Sequence, residues 1–249
     1  METGTADFWP LAILASALVG LSKGGLPAIG MLAVPVLAFA VSPVAAAGLL
    51  LPVYVASDVV GLWTYRHAFD RRVLAILAPA AVFGIGLGWA TAAFVPERWV
   101  TGIIGAIGAG FALTLIFGRR PAAPPAPARL GPGVFWGALT GYTSFVSHAG
   151  APPYQVYVLP LRLEKMVYAG TTTVLFAFVN AVKLIPYWAL GQLNPSNLKT
   201  AALLSLPAML AVLAGVKLVR VLPERLFFRL VTWALLLISA KHLWDAGFG

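Results

Sequence analysis

The residues of this chain most suited to chemistry are a lysine and a histidine, each lying between two apolar runs. Lys23 lies in the segment SKGGLP (22–27), and His148 lies in the segment SHAGAP (147–152). The chain is 60% hydrophobic and only 10% charged, so a cation in such a position either marks the end of a membrane span or is held within the membrane. Because a charged group in lipid is expensive, an intramembrane lysine is first considered a functional residue.

Both segments have a composition typical of a site for a small anion. Gly24 and Gly25 are expected to leave backbone N–H groups uncovered, and Pro27 suits the first position of a returning helix. A helix N-terminus with bare amides and a cation beside it attracts oxyanions. If the two segments face each other, they surround one anion with N–H and hydroxyl donors. The predicted substrate-binding residues are therefore Ser22, Lys23, Gly24, Gly25, Ser147, His148, Ala149 and Gly150.

Polar residues farther along the apolar runs extend this predicted site. Gln155 and Tyr157 follow the second segment and add hydrogen-bond donors. Asn180 shares a helix face with Lys183. We expect Asn180 to contact the substrate ahead of the threonines at 171–173, which can bond to carbonyls of their own helix instead.

Asp58 and Lys183 fall at equivalent positions when the sequence is shifted by about 125 residues. Each would be expensive alone in lipid, whereas together they can form an ion pair. Such a pair serves equally as a strut between the halves of the chain or as part of a coupling mechanism, in which His148 is the group that titrates near neutral pH. Lys23 and His148 also have ordinary interpretations, as a snorkelling lysine and a packing histidine. Their coincidence under the same shift favours the functional one.

The elements that must position these residues are apolar runs long enough to cross a hydrocarbon core of about 30 Å as helices. Six such spans are predicted, and 25 glycines in the chain suit close helix packing in lipid. The predicted fold class is therefore an all-α polytopic membrane protein. The spans are 42–65, 73–95, 99–117, 167–190, 198–216 and 226–243.

An internal duplication is predicted from two matching shifts. A shift of about 125 residues superimposes the segments of Lys23 and His148, and a shift of about 127 places 95–98 on 222–225. The predicted organisation is a first transmembrane repeat (1–117), a proline-rich cytoplasmic linker (118–132) and a second transmembrane repeat (133–249). Each repeat combines a broken or re-entrant helical region, 8–40 or 133–160, with three full spans.

The distribution of basic residues sets the predicted orientation. Most Lys and Arg residues fall in four clusters. If each broken region returns to the side of the membrane that it entered from, all four clusters lie on one face. The positive-inside rule makes that face cytoplasmic. The two repeats are then inverted, and both termini are periplasmic. Charge does not distinguish a hairpin from a pair of short crossings. The clusters are Arg66, Arg71 and Arg72; Arg119, Arg120 and Arg129; Arg162 and Lys165; and Lys217, Arg220, Arg225 and Arg229.

Composition also argues against several classes of function. The formal charge of +9 is explained by membrane orientation, so no nucleic-acid partner is expected. No cysteine is present, and we expect no metal and no cofactor. No phosphate-binding loop of the ATPase type occurs. The N-terminus carries Glu2 and Asp7 in place of a positive signal-peptide region, so it is expected to stay on the mature protein.

The sequence resembles the TauE/SafE family of sulfite and organosulfur-anion exporters. The residues that carry the resemblance are the glycine-rich break at 20–27 with Pro35 beyond, its weaker echo at 141–160, and the helix from 169 through Asn180 to 191. The resemblance covers nearly the whole chain and implies transport of sulfite, a sulfonate or a related small anion across the bacterial inner membrane. The second break has His148 and a proline pair where the family usually has more glycine, which leaves the substrate open.

The leading hypothesis is a secondary transporter, and more specifically an exporter, that holds a small sulfur-containing oxyanion at broken-helix N-termini near the membrane midplane and works by alternating access. An importer or channel for another small anion is the alternative within the same class. The alternatives of another class are an intramembrane lipid-phosphate hydrolase and a non-transporting scaffold. A hydrolase needs a base or nucleophile, and the nearest acidic residues, Asp58 and Glu164, lie outside both breaks. The oligomeric state stays open.

Overall fold

A computed structural model describes residues 8–91, 94, 96–117, 125–193 and 195–248. The predictions for Glu2, Asp7, Val95, Arg119 and Arg120, and for the linker over 118–124, lie outside these residues. The described chain is helical, without strands. Its helices are α1 (Phe8–Lys23), α2 (Pro27–Gly30), α3 (Ala33–Leu37), α4 (Pro43–Tyr65), α5 (Arg71–Thr91), α6 (Glu97–Phe117), α7 (Leu130–Ser147), α8 (Ala151–Val158, followed by a 3₁₀ turn, Leu159–Leu161), α9 (Lys165–Ala189), α10 (Pro195–Val221) and α11 (Glu224–Phe248).

The six predicted spans are confirmed as long apolar helices. They correspond to α4, α5, α6, α9, α10 and α11, and each is long and apolar enough to cross a membrane. Most of their bounds agree with the prediction to within a few residues, because apolar composition determines both the span and the helix. The chain is therefore an all-helical polytopic membrane protein.

The chain divides into two compact units, which we describe separately. Unit 1 comprises Met1–Phe69 and Ala169–Leu222, and unit 2 comprises Asp70–Tyr168 and Pro223–Gly249. Each unit contains helices from both predicted repeats. In unit 1, α1 of the first repeat packs against α10 of the second; in unit 2, α7 of the second repeat packs against α5 of the first. The inverted repeat and its boundaries stay predictions about the sequence.

Both broken regions fold back on themselves. In unit 1, Ala33 and Leu37 of α3 share a core with Phe8 and Ala12 of α1. In unit 2, the Ala126 N–H donates to the Pro160 carbonyl at 3.1 Å, which brings the two ends of the second region together.

The returning arms are also too short to be full crossings. Each arm, 27–37 and 151–161, advances about 16 Å as a helix, roughly half of the ~30 Å core. Their length favours re-entrant hairpins over pairs of short crossings, and the position of each region in the membrane stays a prediction.

Glycine allows helix backbones to touch in both units. In unit 1, a Cβ on Gly24 would lie 2.6 Å from the Gly215 Cα and 2.8 Å from the Val212 carbonyl oxygen, so the end of α1 lies directly on the backbone of α10. In unit 2, a Cβ on Gly141 would overlap the Ala81 carbonyl, and the same contact joins α7 to α5. Small residues at such contacts are the usual means of holding helices together in lipid.

We predict that Gly24→Ala lowers the thermal stability of the purified protein in detergent. The added methyl meets backbone atoms that cannot rotate away, and overpacking of this kind costs about 1–3 kcal/mol. Gly86→Ala is the matched control, because no described atom lies within 4 Å of its Cβ position. Alanine there gains up to about 1 kcal/mol of helix propensity, so its melting temperature should be unchanged or slightly raised. Equal melting temperatures for the two variants would contradict the backbone contact at Gly24.

Candidate functional site

A cluster of buried charged side chains lies in unit 1. Lys23 ends α1, Asp58 lies in the middle of α4, and Lys183 lies in α9; their exposed fractions are 3%, 4% and 0%. Among the described residues, these are the buried side chains that carry a formal charge at pH 7. Two lysines and one aspartate are therefore buried together in an apolar environment.

Asp58 is held through both of its carboxylate oxygens. The Lys23 Nζ lies 2.7 Å from Asp58 Oδ1, and the Asn180 Nδ2 donates to Asp58 Oδ2 at 2.9 Å. A charge-assisted hydrogen bond of this length is stronger than one between neutral groups. The carboxylate is thus fixed between the broken region and α9.

Each lysine of the cluster also lies over a tyrosine ring. The Nζ of Lys23 is 5.2 Å from the ring centroid of Tyr54, and the Nζ of Lys183 is 5.7 Å from that of Tyr187. Lys183 interacts electrostatically with both Asp58 and Lys23. The hydroxyl of Tyr54 donates to the Gly30 carbonyl at 2.7 Å, which fixes that ring against the return arm. Cation–π contacts stabilise the ammonium groups without neutralising them.

Hydroxyl groups from neighbouring helices cap the end of α1. Tyr65 of α4 donates to the Gly24 carbonyl at 2.6 Å, and Thr173 of α9 donates to the Lys23 carbonyl at 3.0 Å. These carbonyls have no partner within their own helix, so a buried helix end needs such donors. Gly25 follows with φ of +112°, a conformation that glycine adopts readily, and the chain turns there into α2. The backbone thereby fixes the point at which the Lys23 side chain leaves the helix.

The prediction of uncovered amides at the first break is wrong. The Gly24 N–H donates to the Gly20 carbonyl at 3.0 Å and the Gly25 N–H to the Ser22 carbonyl at 3.3 Å, because the last turn of α1 continues through the glycines. The Ser22 hydroxyl donates to the Val19 carbonyl at 2.6 Å. The return arm begins with only four helical residues, too few for a strong helix dipole. Positive charge at this break comes from the side chain of Lys23.

The second break lies in unit 2 and has a different construction. His148 is half-buried and left-handed, with φ of 52°, which ends α7 at the cost of some backbone strain. The Ala149 N–H donates to the Thr143 carbonyl at 3.2 Å, and the Ser147 hydroxyl donates to the same carbonyl at 3.3 Å. Gly150 forms the N-cap of α8.

Of the two polar residues predicted after this break, one faces away from it. Tyr157 donates from its hydroxyl to the Arg129 carbonyl at 3.0 Å, so it lies at the open end of the hairpin. It lines a cavity of about 370 Å³ there together with Arg129 and Trp136. Gln155 is fully buried, and neither atom of its side-chain amide has a hydrogen-bond partner among the described residues.

Within unit 1 the structure therefore brings together Lys23, Asp58, Asn180 and Lys183. Ser22, Gly24 and Gly25 adjoin them, with their donors already engaged. Within unit 2 the residues from 147 to 150 form one turn. The predicted meeting of the two breaks, and the use of any of these residues by a substrate, stay predictions.

Sequence reasoning missed the close pairing of Lys23 with Asp58 and the tyrosines beneath the lysines. A signal for the tyrosines was present: Tyr54 precedes Asp58 by four residues, and Tyr187 follows Lys183 by four, so each pair shares a helix face. Ser239 and His242 of α11, in unit 2, were also missed; both are buried, without hydrogen-bond partners for their side chains among the described residues. The described residues contain no group of three His, Cys, Asp or Glu suited to a metal ion.

Comparison with known proteins identifies one family. The model of the family described as "Sulfite exporter TauE/SafE" matches residues 12–242 of the chain. Searches of curated proteins and of solved structures found no match. The matched range includes the first broken region from residue 12 onward, the whole of the second, and every residue of the buried charge cluster.

We predict that the Lys23–Asp58 pair is strongly coupled in the stability of the protein. Lys23→Met removes the ammonium that lies 2.7 Å from Asp58, and Asp58→Leu removes the carboxylate that Lys23 and Asn180 contact, so either change alone should destabilise the protein by about 3–5 kcal/mol. The double variant should lose less than the sum of the two. Denaturant unfolding in detergent provides the measurement for the double-mutant cycle.

The pair Lys241–Asp245 is the matched control for that cycle. Both of its side chains are 40% exposed, and exposed pairs of this kind contribute about 1 kcal/mol or less. A coupling energy for Lys23–Asp58 no larger than that of the control would contradict the buried pair.

Proposed function

Because the chain belongs to the sulfite exporter TauE/SafE family, which makes it a membrane transporter and not an enzyme, we propose that it exports a small sulfur-containing oxyanion such as sulfite or a short sulfonate. It does so as a secondary transporter of the bacterial inner membrane, with both termini in the periplasm. The sequence contains no nucleotide-binding loop that would make ATP the driver.

The observation that carries this proposal is the buried excess of positive charge in unit 1. Lys23, Asp58 and Lys183 together hold one more cation than anion, and all three are nearly or fully inaccessible to solvent. A buried charge is tolerated only when it is paired or solvated. In the proposed site a small oxyanion accepts hydrogen bonds from the side chains of Lys23 and Lys183, while Asn180 and the tyrosines fix the positions of the charged groups.

The second break contributes to the same cycle in the proposed mechanism. His148 carries an imidazole, the side chain type whose unperturbed pKa lies nearest to neutral, and is the candidate for coupling anion movement to protons. Ser147, Ala149, Gly150 and Gln155 supply the polar groups of that break. Alternating access then exposes the anion first to the cytoplasm and then to the periplasm.

We predict that Lys183→Met lowers anion flux by at least tenfold. The protein is reconstituted into liposomes loaded with labelled sulfite or isethionate, and release is followed with time. A tenfold loss corresponds to about 1.4 kcal/mol, a modest fraction of the electrostatic stabilisation lost with a buried cation. Lys23→Met is the companion variant, and loading from either side gives the direction of transport.

Lys199→Met is the matched control for the flux measurement. Lys199 lies in the same unit, in α10, and its side chain is exposed. Its rate should equal that of the unmodified protein. If the buried and the exposed lysine variants transport at the same rate, the cluster is not the anion site.

We predict opposite effects on stability and flux for Gln155→Met. An apolar side chain of similar length removes two buried polar atoms that lack partners, so the melting temperature should rise. If Gln155 serves the substrate, the flux should fall in the same variant. A higher melting temperature with undiminished flux would assign Gln155 a role outside the transport path.

A further inference from the structure

We propose that Ser239 and His242 of α11, with Gln155 of α8, form a second binding position for the transported oxyanion, inside unit 2. The inference rests on the proposed function and adds Ser239 and His242 to the residues that bind the substrate. The position adjoins the second break and binds the oxyanion through hydrogen bonds.

The three side chains are buried, and none has a hydrogen-bond partner among the described residues. The exposed fraction is 0% for Ser239 and Gln155 and 6% for His242. The unpartnered atoms are five: the hydroxyl oxygen of Ser239, both atoms of the Gln155 amide and both imidazole nitrogens of His242. Buried polar groups nearly always bond to the protein, to ordered water or to a ligand, because removing them from water is otherwise costly. The concentration of such atoms in one unit therefore indicates a bound molecule.

Two glycines of α6 bring α8 and α11 together. A Cβ on Gly108 would overlap the hydroxyl oxygen of Ser239 and would lie 3.2 Å from the Cβ of Pro152, in the first turn of α8. A Cβ on Gly105, one turn earlier, would lie 2.9 Å from the backbone nitrogen of Leu243 in α11. The Ser239 hydroxyl and the start of α8 thus meet at Gly108, near the middle of α6.

Helical spacing places the other two side chains beside this meeting point. His242 follows Ser239 by three residues and Gln155 follows Pro152 by three, so each pair shares one face of its helix. Three residues advance a helix by only about 4.5 Å. Both faces are buried. The polar groups of α8 and α11 therefore lie in the same part of unit 2.

These side chains supply the donors that an oxyanion needs. A serine O–H, an imidazole N–H and an amide N–H all donate, and the oxygens of sulfite or of a sulfonate group accept. The carbonyl oxygen of Gln155 accepts in turn from a hydroxyl group of the ligand or from a water molecule bound with it. In this conformation the side chains are closed to solvent, so the oxyanion reaches them when alternating access opens a path.

Four variants test the position. Ser239→Ala and His242→Leu remove the unpartnered polar atoms, whereas His242→Gln keeps an N–H donor. Thr232→Val is the matched control on the same helix, because the Thr232 hydroxyl donates to the Phe228 carbonyl of α11 itself at 2.9 Å. If His242→Leu fails to fold, Ser239→Ala carries the test, since it removes a single oxygen atom.

The experiment measures two quantities on the full chain at one pH. The first is the melting temperature in detergent, with and without sodium sulfite. The second is the concentration of labelled sulfite that gives half-maximal flux in proteoliposomes.

Without sulfite, Ser239→Ala and His242→Leu should melt at the temperature of the unmodified protein or above it, because buried unpartnered atoms are removed. In both variants the half-maximal concentration should rise at least tenfold, which corresponds to about 1.4 kcal/mol. The stabilisation by sulfite should shrink with it. His242→Gln should recover most of the loss seen in His242→Leu, and Thr232→Val should leave both quantities unchanged.

Water is the competing occupant of these groups. If water alone binds there, Ser239→Ala and His242→Leu leave the half-maximal concentration unchanged, and that result overturns the inference. An equal rise of the concentration in Thr232→Val also overturns it, because the effect is then not specific to the unpartnered atoms.

The same measurements separate this inference from the proposed function. Sulfite flux that Ser239→Ala and His242→Leu leave unchanged overturns the inference and leaves the function standing. Stabilisation by sulfite that both variants abolish, without flux of sulfite or isethionate, supports the binding position and overturns the function. Absence of both stabilisation and flux in the unmodified protein overturns both.

Discussion

The ion pair between Lys23 and Asp58 is the constraint on which the rest of unit 1 depends. A lysine at the end of a re-entrant arm would be too expensive in an apolar interior without a carboxylate, and an aspartate in the middle of a span would be too expensive without a cation. The pair holds the arm in contact with α4, and Asn180 extends the connection to α9. Because buried ion pairs add little net stability compared with apolar packing, retaining one with a second lysine beside it favours a role in binding.

The surrounding structure keeps this pair in position by engaging the backbone. The hydroxyl groups of Tyr65 and Thr173 donate to backbone carbonyls at the end of α1. Gly24 allows that end to contact the backbone of α10. The sequence indicated that the threonines could bond to carbonyls of their own helix, whereas Thr173 donates to a carbonyl of α1. The backbone carbonyls at the end of α1 are thereby engaged in structure, and the side chain of Lys23 is directed to Asp58.

Composition alone was sufficient to predict the six spans, because a long apolar run has only one stable form in lipid. Lys23 could be singled out for a related reason, because a charged residue between apolar runs is unusual, and the structure shows that it is buried. The partner of Asp58 could not be identified: Lys183 was predicted, whereas the structure places the ammonium of Lys23 against the carboxylate, because that contact depends on where α1 ends. Whether the N–H groups of Gly24 and Gly25 are hydrogen-bonded could not be predicted from the sequence either. They are bonded because α1 continues its hydrogen-bonding pattern through both glycines. Each compact unit combines helices from both predicted repeats. This arrangement could not be predicted from the sequence, because it depends on tertiary packing between distant helices.

Because each compact unit combines elements of both predicted repeats, the buried charged residues all lie in one unit. Lys23, Asp58, Asn180 and Lys183 come from both predicted repeats, yet all of them belong to unit 1. Their arm and spans are joined by backbone contacts between small residues, which do not deform gradually. If unit 1 moves as a body, the ion pair and the second lysine move with it. The positions of these charged groups relative to one another are then the same at every stage of the proposed transport cycle.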